Sequence, residues 1–186
     1  MEKGIESNVD FSPTDDLLFK LIFSDKRCEH LLIHLLNSVL DSKNNPVTEV
    51  HIENTEVVPD VFDGRGVRLD VCAKTEDGRL CDIEIQKADK GNMFERSLFY
   101  WARLFSRRLN KNDSFGKLRQ TICINILEFN LFKDKDEYWN TYHITNDRNG
   151  TRYKSDLLEL HFIEMGKMHG FSKDCPLTLW VEYLKN

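Results

Sequence analysis

The stretch from residue 67 to residue 87, VRLDVCAKTEDGRLCDIEIQK, constrains this chain more than any other. Two alternating runs, 67–75 and 79–87, flank Asp77-Gly78, which is the pattern of a β-hairpin. A two-residue turn at Asp77-Gly78 pairs Asp70 with Ile85. A three-residue turn, Glu76-Asp77-Gly78 with Gly78 left-handed, pairs Asp70 with Glu84. Patterning selects the second, because directly opposed residues share a face. In that register one face carries Val67, Leu69, Val71, Ala73, Cys81, Ile83 and Ile85. The other carries Arg68, Asp70, Cys72, Lys74, Leu80, Asp82, Glu84 and Gln86. The two-residue register mixes Asp70 with Ile83 and Ile85 and leaves no clean apolar face.

The selected register sets Asp70 beside Glu84, with Cβ atoms roughly 5 Å apart, and puts Gln86 one pleat further along. Adjacent carboxylates repel unless something positive or neutral separates them. A divalent metal meets that need: Mg²⁺ accepts one or two carboxylates and keeps waters or phosphate at its other positions. The competing reading is a solvated strand face with Arg68 and Lys74 bridging the acids.

The rest of the chain reads as one unit. Residues 1–11 form a flexible tail and 12–186 a single domain. Ser12-Pro13 predicts a helix start with Ser12 as N-cap and Asp15 and Asp16 in the first turn. Ser24-Asp25 restarts the helix, and Leu31, Leu32, Leu35, Leu36 and Val39 give it a broad apolar stripe. A strand is expected over 48–57. Asn92 and Glu95 form a capping-box pattern for a helix running to about Leu109. On that helix Arg96, Tyr100, Arg103 and Arg107 fall on one face, as phosphate-contacting rows do; a solvated face is the alternative. Phe94, Leu98, Trp101, Phe105 and Leu109 form a second stripe, assigned to the core. Residues 119–129 are apolar on both faces, as in a central buried strand. Two strands near 138–146 and 153–164 follow, with Asn149-Gly150 between them, and then a short helix over 176–184. The order is an α/β arrangement around a mixed sheet, with an added C-terminal hairpin and short helix.

The residues on the hairpin and around it resemble the PD-(D/E)XK nuclease superfamily, in its transposase-like branch of recombination-promoting nucleases. Asp70 in RLDVCAK matches the first catalytic aspartate. Glu84 and Gln86 in DIEIQK match the (D/E)-x-K element in the E-x-Q form of that branch. Asp16, Phe19, Lys20 and Phe23 match an opening D-x-x-F-K-x-x-F, and Arg96 and Tyr100 match an R-x-x-x-Y helix motif. The resemblance spans roughly Asp16 to Lys185. It implies a restriction-endonuclease-like αβββαβ core, a central mixed sheet flanked by helices. It implies a Mg²⁺-dependent DNA endonuclease acting in recombination or transposition, with Mn²⁺ able to substitute. Asp70, Glu84 and Gln86 are its catalytic residues. Asp70, Glu84, the Ile85 backbone carbonyl and Asp16 are its candidate metal ligands. Gln86 brings no charge in place of the usual lysine, so Lys74 and Lys20 are the candidates to supply it and, with Arg96, Tyr100, Arg103 and Arg107, to contact DNA. The family commonly continues with more helices, so a C-terminal helical region is expected to be missing. A catalytically weak DNA-binding or assembly module with the same fold, and a nuclease directed at RNA, are the alternatives.

Composition bears on partners. No apolar run approaches the length of a membrane span, and the polar, acidic start is no signal peptide. Five cysteines without a CxxC pair point to thiols in a reducing cytoplasm rather than a disulfide framework or zinc site. His30 and His34 have ligand spacing without an evident third ligand, and His143 and His161 are expected to meet as a packed pair. No organic cofactor is implied. Paired cutting of two strands often takes a homodimer, although no interface is legible. The net charge of −5 argues against a polyanion partner at first sight. Yet residues 87–119 hold nine basic and three acidic side chains, so a local basic surplus follows the hairpin and the remainder carries −11.

Overall fold

The computed structural model describes residues 14–40, 45–57, 66–153, 156–169 and 175–185. Among the described residues, eight strands and four α-helices follow in the order α1 (Asp16–Phe23), α2 (Glu29–Val39), β1 (Val50–Ile52), β2 (Glu56–Val57), β3 (Val67–Arg68), β4 (Val71–Thr75), β5 (Leu80–Gln86), α3 (Met93–Ser106), β6 (Thr121–Leu127), β7 (Trp139–Tyr142), β8 (Leu158–Glu164) and α4 (Pro176–Lys185). This is a six-stranded mixed sheet in the order β1-β4-β5-β6-β8-β7, flanked by helices. The architecture is the restriction-endonuclease-like α/β fold expected from the sequence. None of the described helices is long and apolar enough to cross a membrane.

The hairpin adopts the three-residue turn. Val71 opposes Ile83, Cys72 opposes Asp82 and Lys74 opposes Leu80. Gly78 N donates to Thr75 O at 2.9 Å and Thr75 N to Arg79 O at 3.0 Å. Gly78 has φ +86°, a left-handed value that glycine adopts without a Cβ penalty. Asp77 closes the loop from inside, accepting from Thr75 Oγ1 at 2.5 Å and Arg79 Nε at 2.9 Å.

The alternation breaks at the start of β4. Val67 and Leu69 do not share a face with Val71 and Ala73; they pack with Cys72, Leu80 and Leu104 on the α3 side. The ladder ends at Val71 because Asp70 gives its backbone N–H to a side chain, and this interruption shifts the face parity by one residue. The strand expected over 48–57 likewise splits. β1 joins the main sheet, whereas β2 pairs antiparallel with β3 in a separate two-stranded sheet.

Three parallel strands, β5, β6 and β8, form the centre. Every residue of β6 is buried, so each of its faces needs a cover. Ile122, Ile124 and Ile126 face a core built with Phe19 and Phe23 of α1, Leu32, Leu35 and Leu36 of α2, and Trp180 and Leu184 of α4. Cys123 and Leu127 face the other way, toward Met93 of α3. Two polar ties seat α3 on the sheet: Trp101 Nε1 donates to Thr121 O at 2.9 Å, and Asn125 Nδ2 to Ser97 Oγ at 2.8 Å. The C-terminal hairpin is integral rather than appended, since β8 pairs with β6 along its whole length and β7 closes the edge.

The helix details correct several expectations. Ser12 and Pro13 lie outside the described residues; α1 opens at Asp16, and Asp15 makes no side-chain cap. Asp15 instead meets Lys87 Nζ at 2.6 Å. Asp25 does cap the restart, accepting from Arg27 N. The capping box at Asn92 does not form, and α3 ends at Ser106. Its buried side is Met93, Ser97 and Leu104, so Leu98, expected in the core, is exposed. Phe94 leans against Phe162 instead, stacked at 5.2 Å.

Candidate active site

Asp70 and Glu84 do meet, and they interlock through the backbone. Glu84 Oε1 accepts from Asp70 N at 2.9 Å, and Asp70 Oδ2 accepts from Ile85 N at 3.0 Å. Each carboxylate therefore uses one oxygen to fix the neighbouring strand, where the regular ladder has stopped. Their other oxygens take cations. Lys20 Nζ of α1 lies 2.9 Å from Asp70 Oδ1, and Arg96 Nη2 of α3 lies 2.8 Å from Glu84 Oε2. Arg96 Nη1 also donates to Gln86 Oε1 at 2.7 Å, and its guanidinium sits 5.0 Å from the Tyr100 ring centre. Asp70 is 6% exposed and Glu84 1%, so both charges stand in a setting where water screens little.

Burial, reinforced by the Asp70 charge, pushes the Glu84 carboxyl up to about 7; the Asp70 N–H and Arg96 pull in the other direction. Asp82, one pleat deeper on the same face, is fully buried. Neither of its oxygens makes a hydrogen bond of normal length. Burial first, and then the Glu84 and Asp70 charges, raise its carboxyl well above the ordinary range. The sequence reading placed Asp82 on this face but gave it no part; its i, i+2 spacing from Glu84 was the available signal.

The other predicted residues separate into groups. Lys20 reaches the acids and Lys74 does not: it is exposed and pairs opposite Leu80, four residues along β4 from Asp70. Arg96, read as a phosphate contact, is the direct partner of Glu84 and Gln86. Tyr100 lines its flank. Arg107 Nη2 donates to Asn54 O at 3.3 Å, bracing the connection between β1 and β2, and Arg103 is half-buried on the same helix. Asp16 opens α1, but its side chain lies outside the described residues.

Other titratable side chains pair with one another away from these acids. Trp139 Nε1 donates to His161 Nδ1 at 3.0 Å. An indole N–H only donates, so the His161 proton sits on Nε2, 2.6 Å from Glu159 Oε1. His143 lies 3.9 Å from the other Glu159 oxygen, so the two histidines meet through a carboxylate rather than directly. Burial raises Glu159, but the hydrogen bond from His161 and the nearby Arg152 charge help to hold it below the usual range. His34 accepts from Trp180 Nε1 at 2.8 Å. Among the described residues no group of three His, Cys, Asp or Glu side chains is arranged to hold a metal by itself. All five cysteines are free thiols.

The donors at Asp70 and Glu84 suit a hard cation nonetheless. Two carboxylates and a nearby backbone carbonyl are oxygen ligands, and Mg²⁺ takes one or two carboxylates while retaining its waters. Lys20 and Arg96 mark where positive charge is wanted. No curated protein and no solved structure matches the chain significantly. A family model does: residues 13–186 match PD-(D/E)XK nuclease family transposase. With a mixed six-stranded sheet and Asp70, Glu84 and Gln86 gathered at one strand pair, this chain belongs to the PD-(D/E)XK nuclease family of transposases.

Proposed function

We propose that the protein is a divalent-metal-dependent endonuclease that hydrolyses phosphodiester bonds of DNA, in recombination or transposition. The observation that carries this reading is the interlocked, nearly buried Asp70–Glu84 pair, with Lys20 on one acid and Arg96 on the other. Asp70, Glu84 and the Ile85 carbonyl would hold Mg²⁺ or Mn²⁺, with Asp16 as an accessory ligand. The bound ion supplies an activated water and offsets charge on the attacked phosphate.

The chain's own groups do the rest. The crossed backbone bonds hold both carboxylates in place, so little reorganisation is needed when a cation arrives. Gln86 accepts from Arg96, which explains how a glutamine serves where a lysine is usual: the positive charge comes from α3. Arg96 and Lys20 are then placed to meet phosphate oxygens once the acids engage the metal. Tyr100 stacks against Arg96 and limits its swing. Arg103, Arg107 and Lys74 extend the contact surface for DNA away from the acids. Five free thiols suit a reducing compartment such as the cytoplasm.

Purified protein with supercoiled plasmid and Mg²⁺ or Mn²⁺ tests the reading. Nicking is expected, with at least a hundredfold loss in Asp70→Ala and Glu84→Ala while the fold, checked by circular dichroism, persists. Nicking that survives in both variants contradicts it. One observation favours a second reading, a DNA-binding module without turnover: both carboxylates already have cationic partners. Salt-sensitive DNA binding without cleavage in any divalent metal would support that reading. Matched RNA and DNA substrates distinguish an RNA-directed enzyme.

A further inference from the structure

The solvent side of α3 carries exposed apolar side chains. Leu98 is 45% exposed and Phe99 39%, one turn beyond Glu95. Beside Phe99 lies a hollow of about 330 Å³ lined by Asn92, Glu95, Arg96, Phe99 and Tyr100. Two of its five walls are aromatic. Asn92 and Glu95 bring polar groups to its rim, an amide that can donate and accept and a carboxylate that accepts. Arg96 belongs to this hollow and to the acid cluster at once: the same guanidinium contacts Glu84, Gln86 and the Tyr100 face. A ligand seated at the acids is therefore one side chain away from an aromatic recess.

The geometry points to an unpaired nucleobase as the occupant of this hollow, stacked on Phe99 beside Tyr100 while its neighbouring phosphate lies at Asp70 and Glu84. This rests on the nuclease reading and adds to it a substrate class: single-stranded, frayed or branched nucleic acid. Every base has a π-face, so an aromatic wall binds bases with little regard to sequence. In an intact duplex each base is already paired and stacked. It reaches such a recess only by being flipped out, at a cost of a few kcal/mol. A recess of this kind next to a phosphate site therefore discriminates by strandedness.

Fluorescence anisotropy tests this on the full chain. The probes are a fluorescein-labelled 20-nucleotide single strand and the duplex of the same sequence, in Ca²⁺ buffer to fill the acid site. Wild type is expected to bind the single strand more tightly. Phe99→Ala should weaken single-strand binding about 5- to 100-fold, the range for one lost base stack. It should change duplex binding less than about twofold, and Phe99→Trp should restore the preference. Phe99 is a surface side chain, so its truncation leaves the fold intact. Equal effects on both probes, no effect on either, or a wild-type preference for duplex each overturn the assignment while leaving the nuclease reading standing. A dimer that Phe99→Ala converts to a monomer in sedimentation also overturns it, because the apolar face then covers a second copy. Wild type that binds neither probe overturns the nucleic-acid reading itself.

Discussion

At the scale of single residues, Gln86 and Asp82 are the most instructive. Gln86 uses its oxygen to accept from Arg96. A lysine there has no acceptor and sets a second cation against the guanidinium. Gln86→Lys, which restores the superfamily's commoner residue, is therefore expected to lower the nicking rate about tenfold, in line with the loss of a charge-assisted bond. A rate that rises in this variant contradicts the role given to Arg96. Asp82 is a fully buried carboxyl beside two other acids, with no hydrogen bond of normal length, a costly arrangement. Its pKa is raised in the fold by burial, then by Glu84 and Asp70. The folded chain thus keeps a proton that the unfolded chain has released above pH about 4. Its contribution to stability is fully present below that value and is lost as pH rises. Asp82→Asn does not titrate, so its Tm relative to wild type should be several °C more favourable at pH 8 than at pH 5. A difference independent of pH contradicts the shift. The sequence placed Asp82 on the acidic face but could not disclose its depth, because burial depends on Cys72 and Cys123 of the flanking strands.

At the scale of elements, the hairpin was the most legible part of the chain. Its register followed from period-two patterning and one glycine; the register from Val71 onward and the left-handed glycine carried into the structure. Gly78 sits at φ +86°, and an added Cβ would lie 3.5 Å from Arg119 Cγ, ordinary contact. The cost of Gly78→Ala is therefore backbone strain, about 1–2 kcal/mol. That lowers Tm by roughly 2–8 °C in a chain of this size. An unchanged Tm contradicts the left-handed turn. The parity break at Leu69-Asp70 was not legible. It arises because Asp70 N–H bonds a glutamate side chain, a choice made by the site and not by β-propensity. The faces of α3 were misread for a related reason. Arg96 and Trp101 are drawn inward by Glu84 and by Thr121 O, which rotates Leu98 outward. The capping box read at Asn92 does not form, and Asp15, expected inside the first turn of a helix opened by Ser12, instead precedes α1 and pairs with Lys87.

At the scale of the whole molecule, the acidic total and the basic segment after the hairpin have separate places. Arg96 of that segment reaches the acids, while Arg107 and Arg108 hold carbonyls of Asn54 and Gly78. Part of the basic surplus is therefore structural, which sequence spacing alone does not reveal. Charged groups converge at one end of the sheet: Lys20 of α1, Asp70 just ahead of β4, Glu84 of β5 and Arg96 of α3. This convergence is the proposed cation site. A crystal grown with Mn²⁺ and measured for anomalous scattering tests it most directly. The predicted result is a peak bonded to one oxygen each of Asp70 and Glu84, with Lys20 Nζ withdrawn from Asp70. The absence of a peak there, with Lys20 still in place at saturating Mn²⁺, would contradict it.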